Sequence, residues 1–234
     1  MAAKKTAETI VIPPIKFAVL ELRLIGDSFI IPHAWCEKAK RMIRDKGQKT
    51  AKGPRENRDP LGDGSRSMYW LGKDGQPIPA GDDWTKHKYG FGVPCRAIKA
   101  SVRRAAADVE GVAMTQINRL VFVLPLVADA CVPLLTGNGK KLLLPNRIRE
   151  DLMRVGGKGP GTGSADLRYR GEFTNWSTVV EVKFDAGILS KDQIVNLFNR
   201  AGQTCGLLED RAEKTGGYGG LFHVAGAKAV GSAA

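Results

Sequence analysis

The 234-residue chain is short of several things, and each shortage excludes a class of protein. It has no unbroken apolar run. The longest, Leu120 to Leu135, is interrupted by Pro125, Asp129 and Pro133 and falls below the ~20 residues a membrane-spanning helix needs, so no membrane partner is expected. The opening Met1-Ala-Ala-Lys-Lys-Thr leads into no apolar segment of a secretion signal, which points to the cytoplasm. The four cysteines, Cys36, Cys95, Cys131 and Cys205, lie far apart without paired spacing, which argues against a disulfide framework and a zinc knuckle. The three histidines, His33, His87 and His223, lack metal-ligand spacing, and no serine sits in a nucleophile elbow. Gly156 to Gly163 lacks the Lys-Ser or Lys-Thr that would complete a P-loop. Neither a metal, a cofactor nor nucleophilic hydrolase chemistry is therefore expected.

Acidic residues are also in deficit, and this shortage is informative. Thirty-six Lys and Arg against twenty-four Asp and Glu leave a formal charge of +12, which favours an anionic partner. The excess is regional. Lys38 to Arg104 holds seventeen basic and seven acidic residues and so carries +10 of the total. The same stretch contains Tyr69, Trp70, Trp84, Tyr89 and Phe91. Basic groups neutralise phosphates and aromatic faces stack on unpaired bases, so the mixture suits a single-stranded RNA or DNA. A solvated surface loop pinned by its aromatics is the plainer alternative.

Periodicity gives an α+β chain read as one domain over 1–234. Lys16 to Leu24 alternates as a half-buried strand, with Ala18, Leu20, Leu22 and Leu24 on one face. Pro32 opens a helix to Asp45 whose apolar stripe is Trp35, Ala39, Met42 and Ile43, leaving Lys38, Lys40, Arg41 and Arg44 outward. From Gly47 to Gly92 no period is sustained, and Gly and Pro punctuate the segment, which reads as a long basic insertion containing Lys52, Arg55 and Arg58. A second helix, Pro94 to Val109, buries Ile98, Val102, Ala105, Ala106 and Val109 and turns Arg96, Lys99 and Arg103 outward. Asn118 to Val127 reads as a buried strand, Leu142 to Leu144 as a short strand and Asn146 to Met153 as a short helix. The last third reads strand 178–185, helix 190–203 with a Ser190/Gln193 capping box, and strand 219–224. The order β-α-β early and β-α-β late predicts a ferredoxin-like or RNA-recognition-like antiparallel sheet with helices on one face.

Three motifs carry candidate chemistry. Glu181-Val-Lys183, with Asp166 upstream, matches the Asp and Glu-x-Lys arrangement in which two carboxylates hold Mg²⁺ and the lysine steadies a water, but any half-exposed strand alternates in this way. Asp166-Leu-Arg168-Tyr169-Arg170-Gly-Glu172 places two arginines on one side of an extended segment, either to grip phosphates or to pair with Asp166 and Glu172. Gly216-Gly217-Tyr218-Gly219-Gly220 permits close backbone approach to a phosphate chain, or simply a tight turn.

Taken together, the first strand followed by Phe29-Ile-Ile31-Pro32 and a basic helix with Lys38 and Arg41, the long insertion, and the late β-α-β unit with the Gly216–Gly220 loop resemble the RAMP superfamily. These are RNA-binding subunits of CRISPR effector complexes, and the likeness is to the backbone type. His33-Ala34-Trp35 departs from the small residues that usually follow the proline there. The resemblance implies a non-catalytic subunit on a guide RNA in a bacterial or phage setting, partnered by copies of itself or by other CRISPR-complex subunits. Some such subunits carry a cleaving aspartate in an early loop; Asp27 is the neighbouring candidate, without cleavage being carried over to it. Two other readings stand beside this one: an Mg²⁺-dependent nuclease using Asp166, Glu181 and Lys183, and a phage factor that copies or blocks such a subunit and meets an acidic protein.

Overall fold

A computed structural model describes residues 13–35, 37–47, 58–156 and 163–230. Its elements, in chain order, are β1 (Phe17–Gly26), α1 (Glu37–Gly47), α2 (Pro60–Arg66), β2 (Gly92–Pro94), α3 (Cys95–Ala105), α4 (Met114–Leu120), β3 (Val121–Val123), β4 (Cys131–Pro133), β5 (Leu135–Thr136), β6 (Arg147–Gly156), β7 (Gly163–Glu172), β8 (Trp176–Asp185), α5 (Lys191–Arg200), α6 (Ala212–Thr215) and β9 (Phe222–Ala229). The chain is α+β, and its main sheet is antiparallel with strand order β3-β8-β1-β9, β5 pairing with β8 beyond the end of β3.

Alternation in β1 and β8 puts Leu20, Leu22, Leu24, Val180, Val182 and Phe184 on one face, all essentially buried. Helices α3 and α5 pack against each other and cover that face, contributing Ile98, Val102, Ile194 and Phe198 to a single core. Helix α5 starts as its sequence dictates: the Ser190 hydroxyl accepts from the Gln193 N–H and the Gln193 side chain accepts from the Ser190 N–H. A π-helical turn, Ala201–Cys205, comes directly after it.

Four expectations need correction. Asn118 to Val127 is not one strand: α4 runs through Leu120, its start closed by the Gln116 side chain on the Ala113 N–H, and only Val121–Val123 pairs with β8 before Pro125, which has no N–H to donate. Asn146 to Met153 is not a helix. Residues 147–156 form a two-stranded ribbon with β7, and Asn146 closes that ribbon by accepting from the Thr174 N–H. The last strand starts at Phe222 rather than Gly219, because the Gly219 and Gly220 N–H groups bond to Asp210 and Phe29 outside the ladder. The first helix starts at Glu37, since Ala34 N–H bonds to Ser67 and holds His33–Trp35 out of helical register.

The described part of the 47–92 segment is packed rather than structureless. Met68, Trp70, Leu71 and Phe91 join the core, and isolated bridges tie Trp70 to Phe91 and Leu71 to Pro77.

Candidate nucleic-acid interface

Helix α3 supplies the clearest basic surface. Its buried side, Cys95, Ile98, Ser101, Val102 and Ala105, is set by the 3.6-residue period, so Arg96 and Arg103 are exposed, with Lys99 half-buried between them. Lys99 reaches across to α4: its ammonium donates to Asn118 O at 3.0 Å and lies 4.5 Å from the centre of the Phe122 ring. Burial pulls its pKa down. Arg119, next to Asn118 on α4, is also exposed. Arg96, Arg103 and Arg119 make no ion pair with any carboxylate among the described residues. Arg104, adjacent to Arg103, behaves differently and pairs with Glu213 at 3.0 Å.

Arg147, Arg149, Arg168 and Arg170 of the β6–β7 ribbon are engaged with acids. Arg168 bonds to Asp166 at 3.1 Å, and Arg58 bonds to the same carboxylate. Arg170, 3% exposed, lies between Asp151 at 3.5 Å and Glu209 at 3.9 Å. Glu172 takes Arg147 and Arg149. Of the two outcomes open to Arg168 and Arg170, pairing within the protein is the observed one, as expected for guanidinium groups brought beside carboxylates in a partly buried site.

Trp70 requires a correction. Its basic neighbours make it a candidate for stacking on bases, but it is 8% exposed, donates its indole N–H to Ser65 O at 3.0 Å, lies 4.2 Å from the His87 ring and meets Phe91 edge-on. Tyr69 is half-buried: its hydroxyl donates to the His33 carbonyl at 3.1 Å, and burial pushes the phenol up to about 12. The glycine loop after α6 is also committed. The N–H groups of Gly216, Gly217, Gly219 and Gly220 bond to Ala212, the Thr215 hydroxyl, Asp210 and Phe29 respectively, so they form no cradle for phosphate. Gly216 adopts a left-handed φ of 73° as the helix cap. A Cβ at Gly219 would sit 2.3 Å from Glu209 O, so close backbone packing explains this glycine. Tyr218, between them, is 72% exposed.

Asp166, Glu181 and Lys183 are not brought together, because Asp166 belongs to the ribbon and the other two to the main sheet. Asp166 is held by Arg58 and Arg168. Glu181 stands directly across from Glu21 on the half-exposed face of the main sheet, and Lys183 rests 4.1 Å from the Phe17 ring centre. Asp27 accepts from Gln203 at 3.2 Å and lies 2.7 Å from His223 Nδ1. Lys52 and Arg55 lie outside the described residues, as does the side chain of Lys38. Arg41 and Arg44 are exposed on α1, as is Lys40.

Sequence reasoning misses one group altogether. His33 Nδ1 lies 2.9 Å from Glu209 Oε1, and this bond, reinforced by the Arg170 charge, holds the Glu209 carboxyl at about 2. The His33 ring stacks on Trp35, centres 6.2 Å apart and planes 15° from parallel. Helical spacing assigns Trp35 to a buried stripe, yet it is 61% exposed, as is Ile43 at 55%. The signal available in the sequence is the bulky His33-Ala34-Trp35 itself. No helix among the described residues is long and apolar enough to cross a membrane. No family model matches the chain, and no curated protein matches it in sequence.

Proposed function

We propose that this chain is a non-catalytic, single-stranded nucleic-acid-binding protein, RNA being its preferred strand, built on a ferredoxin-like core. Its setting is the cytoplasm, as a repeating or accessory subunit of a CRISPR-type ribonucleoprotein. The observation that carries the reading is the stripe of Arg96, Lys99 and Arg103 on α3, with Arg119 exposed on the adjoining α4. All four lack a carboxylate partner among the described residues, whereas Arg147, Arg149, Arg168 and Arg170 of the ribbon are paired with carboxylates. Unneutralised guanidinium groups held in a row by a packed helix suit a phosphate backbone and release counterions when they meet one. The core topology supports the reading further: β1, α3, β3, β8, α5 and β9 run in a β-α-β-β-α-β order, with the sheet ordered β3-β8-β1-β9.

The test is binding of a labelled oligouridylate and the matching oligodeoxynucleotide, each of ~30 nucleotides and so several site sizes long, with a duplex as competitor. Tighter binding of the single strands, RNA first, and no cleavage on adding Mg²⁺ or Mn²⁺, is the expected result. Divalent-dependent cleavage would replace this reading with the nuclease one. Failure to bind any strand at low salt would remove it.

A further inference from the structure

We infer that Trp35, braced by His33, is a stacking platform for one unpaired base of the bound strand; the inference rests on the nucleic-acid reading above and deepens it. An exposed tryptophan usually floats. This one has the His33 ring at 6.2 Å with planes within 15° and is 61% exposed. His33 is itself fixed three ways: its ring by Glu209 at 2.9 Å, its carbonyl by the Tyr69 hydroxyl at 3.1 Å, and the adjoining Ala34 by its N–H on Ser67 O at 2.7 Å. Glu209 in turn faces Arg170, which is buried. An aromatic face so held loses little freedom when a base lands on it.

The other tryptophans are not available in this way. Trp70 and Trp176 are buried and Trp84 is half-buried. The helix entered just after Trp35 suits the same ligand: α1 carries five basic and two acidic residues in Glu37–Gly47, with Lys40, Arg41 and Arg44 exposed. Positive charge beside an outward indole matches a phosphodiester strand with splayed bases, in which each base presents a π-face and each linkage a negative charge. An acidic protein partner would also meet the charge, but it would give the oriented ring no particular use.

The test uses the full chain and oligouridylate, reading binding by anisotropy of the labelled RNA and stacking by intrinsic tryptophan fluorescence. Binding is expected to quench the emission. Trp35→Ala is expected to abolish that quenching and weaken binding roughly 5- to 150-fold, the range for loss of one base–aromatic stack, with Trp35→Phe recovering most of the affinity. Thermal melting should be unchanged in both variants, since the ring is exposed. Salt-sensitive RNA binding that is the same in wild type and Trp35→Ala would overturn the platform and leave the nucleic-acid reading standing. Absence of RNA and DNA binding by the wild type would overturn both.

Discussion

Replacing Trp70 with alanine separates a packing residue from a binding one. The indole fills space between the His87 and Phe91 rings and lies against Gly81, and its N–H satisfies Ser65 O. Truncating a buried tryptophan costs ~3–5 kcal/mol from lost transfer and the cavity left behind. The abandoned Ser65 carbonyl adds roughly 1 kcal/mol unless water reaches it. Against a total stability of roughly 5–15 kcal/mol this is a large fraction. At this chain length each kcal/mol moves the melting temperature by roughly 2–4 °C, so a fall of roughly 10–20 °C is expected. Trp70→Phe, which keeps most of the ring but loses the donor, should fall by about a third as much. Circular dichroism melts of both variants beside Trp35→Ala are the assay. If Trp70→Ala melted with the wild type while its RNA affinity collapsed, the aromatic core of residues 68–91 would be refuted and Trp70 would be a binding residue after all.

Individual contacts lead to further expectations. Glu209 titrates well below the ordinary carboxyl range of ~4.3 because His33 and Arg170 favour its charged form, so it binds fewer protons folded than unfolded. Its stabilisation is present above about pH 4.5 and is lost as pH falls toward 2, and Glu209→Gln should flatten that part of the acid-unfolding curve; an unaltered curve would show that the His33 bond is not formed in solution. Gly202→Ala places a methyl 1.9 Å from the Phe222 carbonyl oxygen and should lower the urea midpoint by an amount equivalent to ~1–3 kcal/mol, whereas a neutral result would mean that the turn after α5 and β9 are not so closely packed. Glu181→Gln relieves a like-charge pair with Glu21 and should raise stability by ~0.2–1 kcal/mol in urea melts; a loss of stability would mean that the two carboxylates share a bound cation.

The parts of this chain that are legible in the sequence are those where one local rule acts alone. The alternation of β1 and β8, the Ser190/Gln193 box and the inward face of α3 all arise from side-chain period and capping chemistry, which need no knowledge of distant partners. The failures share a different cause. Arg147–Gly156 has no strong period of its own and is a strand because β7 is there to pair with it. Trp35 and Ile43 recur at helical spacing, but Trp35 lies before α1, where the Ala34 bond to Ser67 holds the chain out of the helix, and Ile43 is exposed on it. Trp70 groups with basic neighbours in the sequence, whereas its burial depends on His87 and Phe91 arriving seventeen and twenty-one residues later. Charge has the same limit: composition does not distinguish Arg168, met by Asp166 on its own strand, and Arg170, met by Asp151 of β6 and by Glu209, from Arg96 and Arg103, met by no carboxylate among the described residues.

The most direct measurement is the salt dependence of oligouridylate affinity for the wild type and for the triple reversal Arg96→Glu, Arg103→Glu, Arg119→Glu. Each phosphate neutralised on a single strand contributes about −0.7 to the slope of log affinity against log salt, so losing three contacts should shallow the slope by about 2 and weaken binding at low salt while the protein remains folded. A steep wild-type slope that flattens in the reversed protein is the predicted result. Identical slopes and affinities for the two folded proteins would contradict the assignment of α3 and α4 as the nucleic-acid surface.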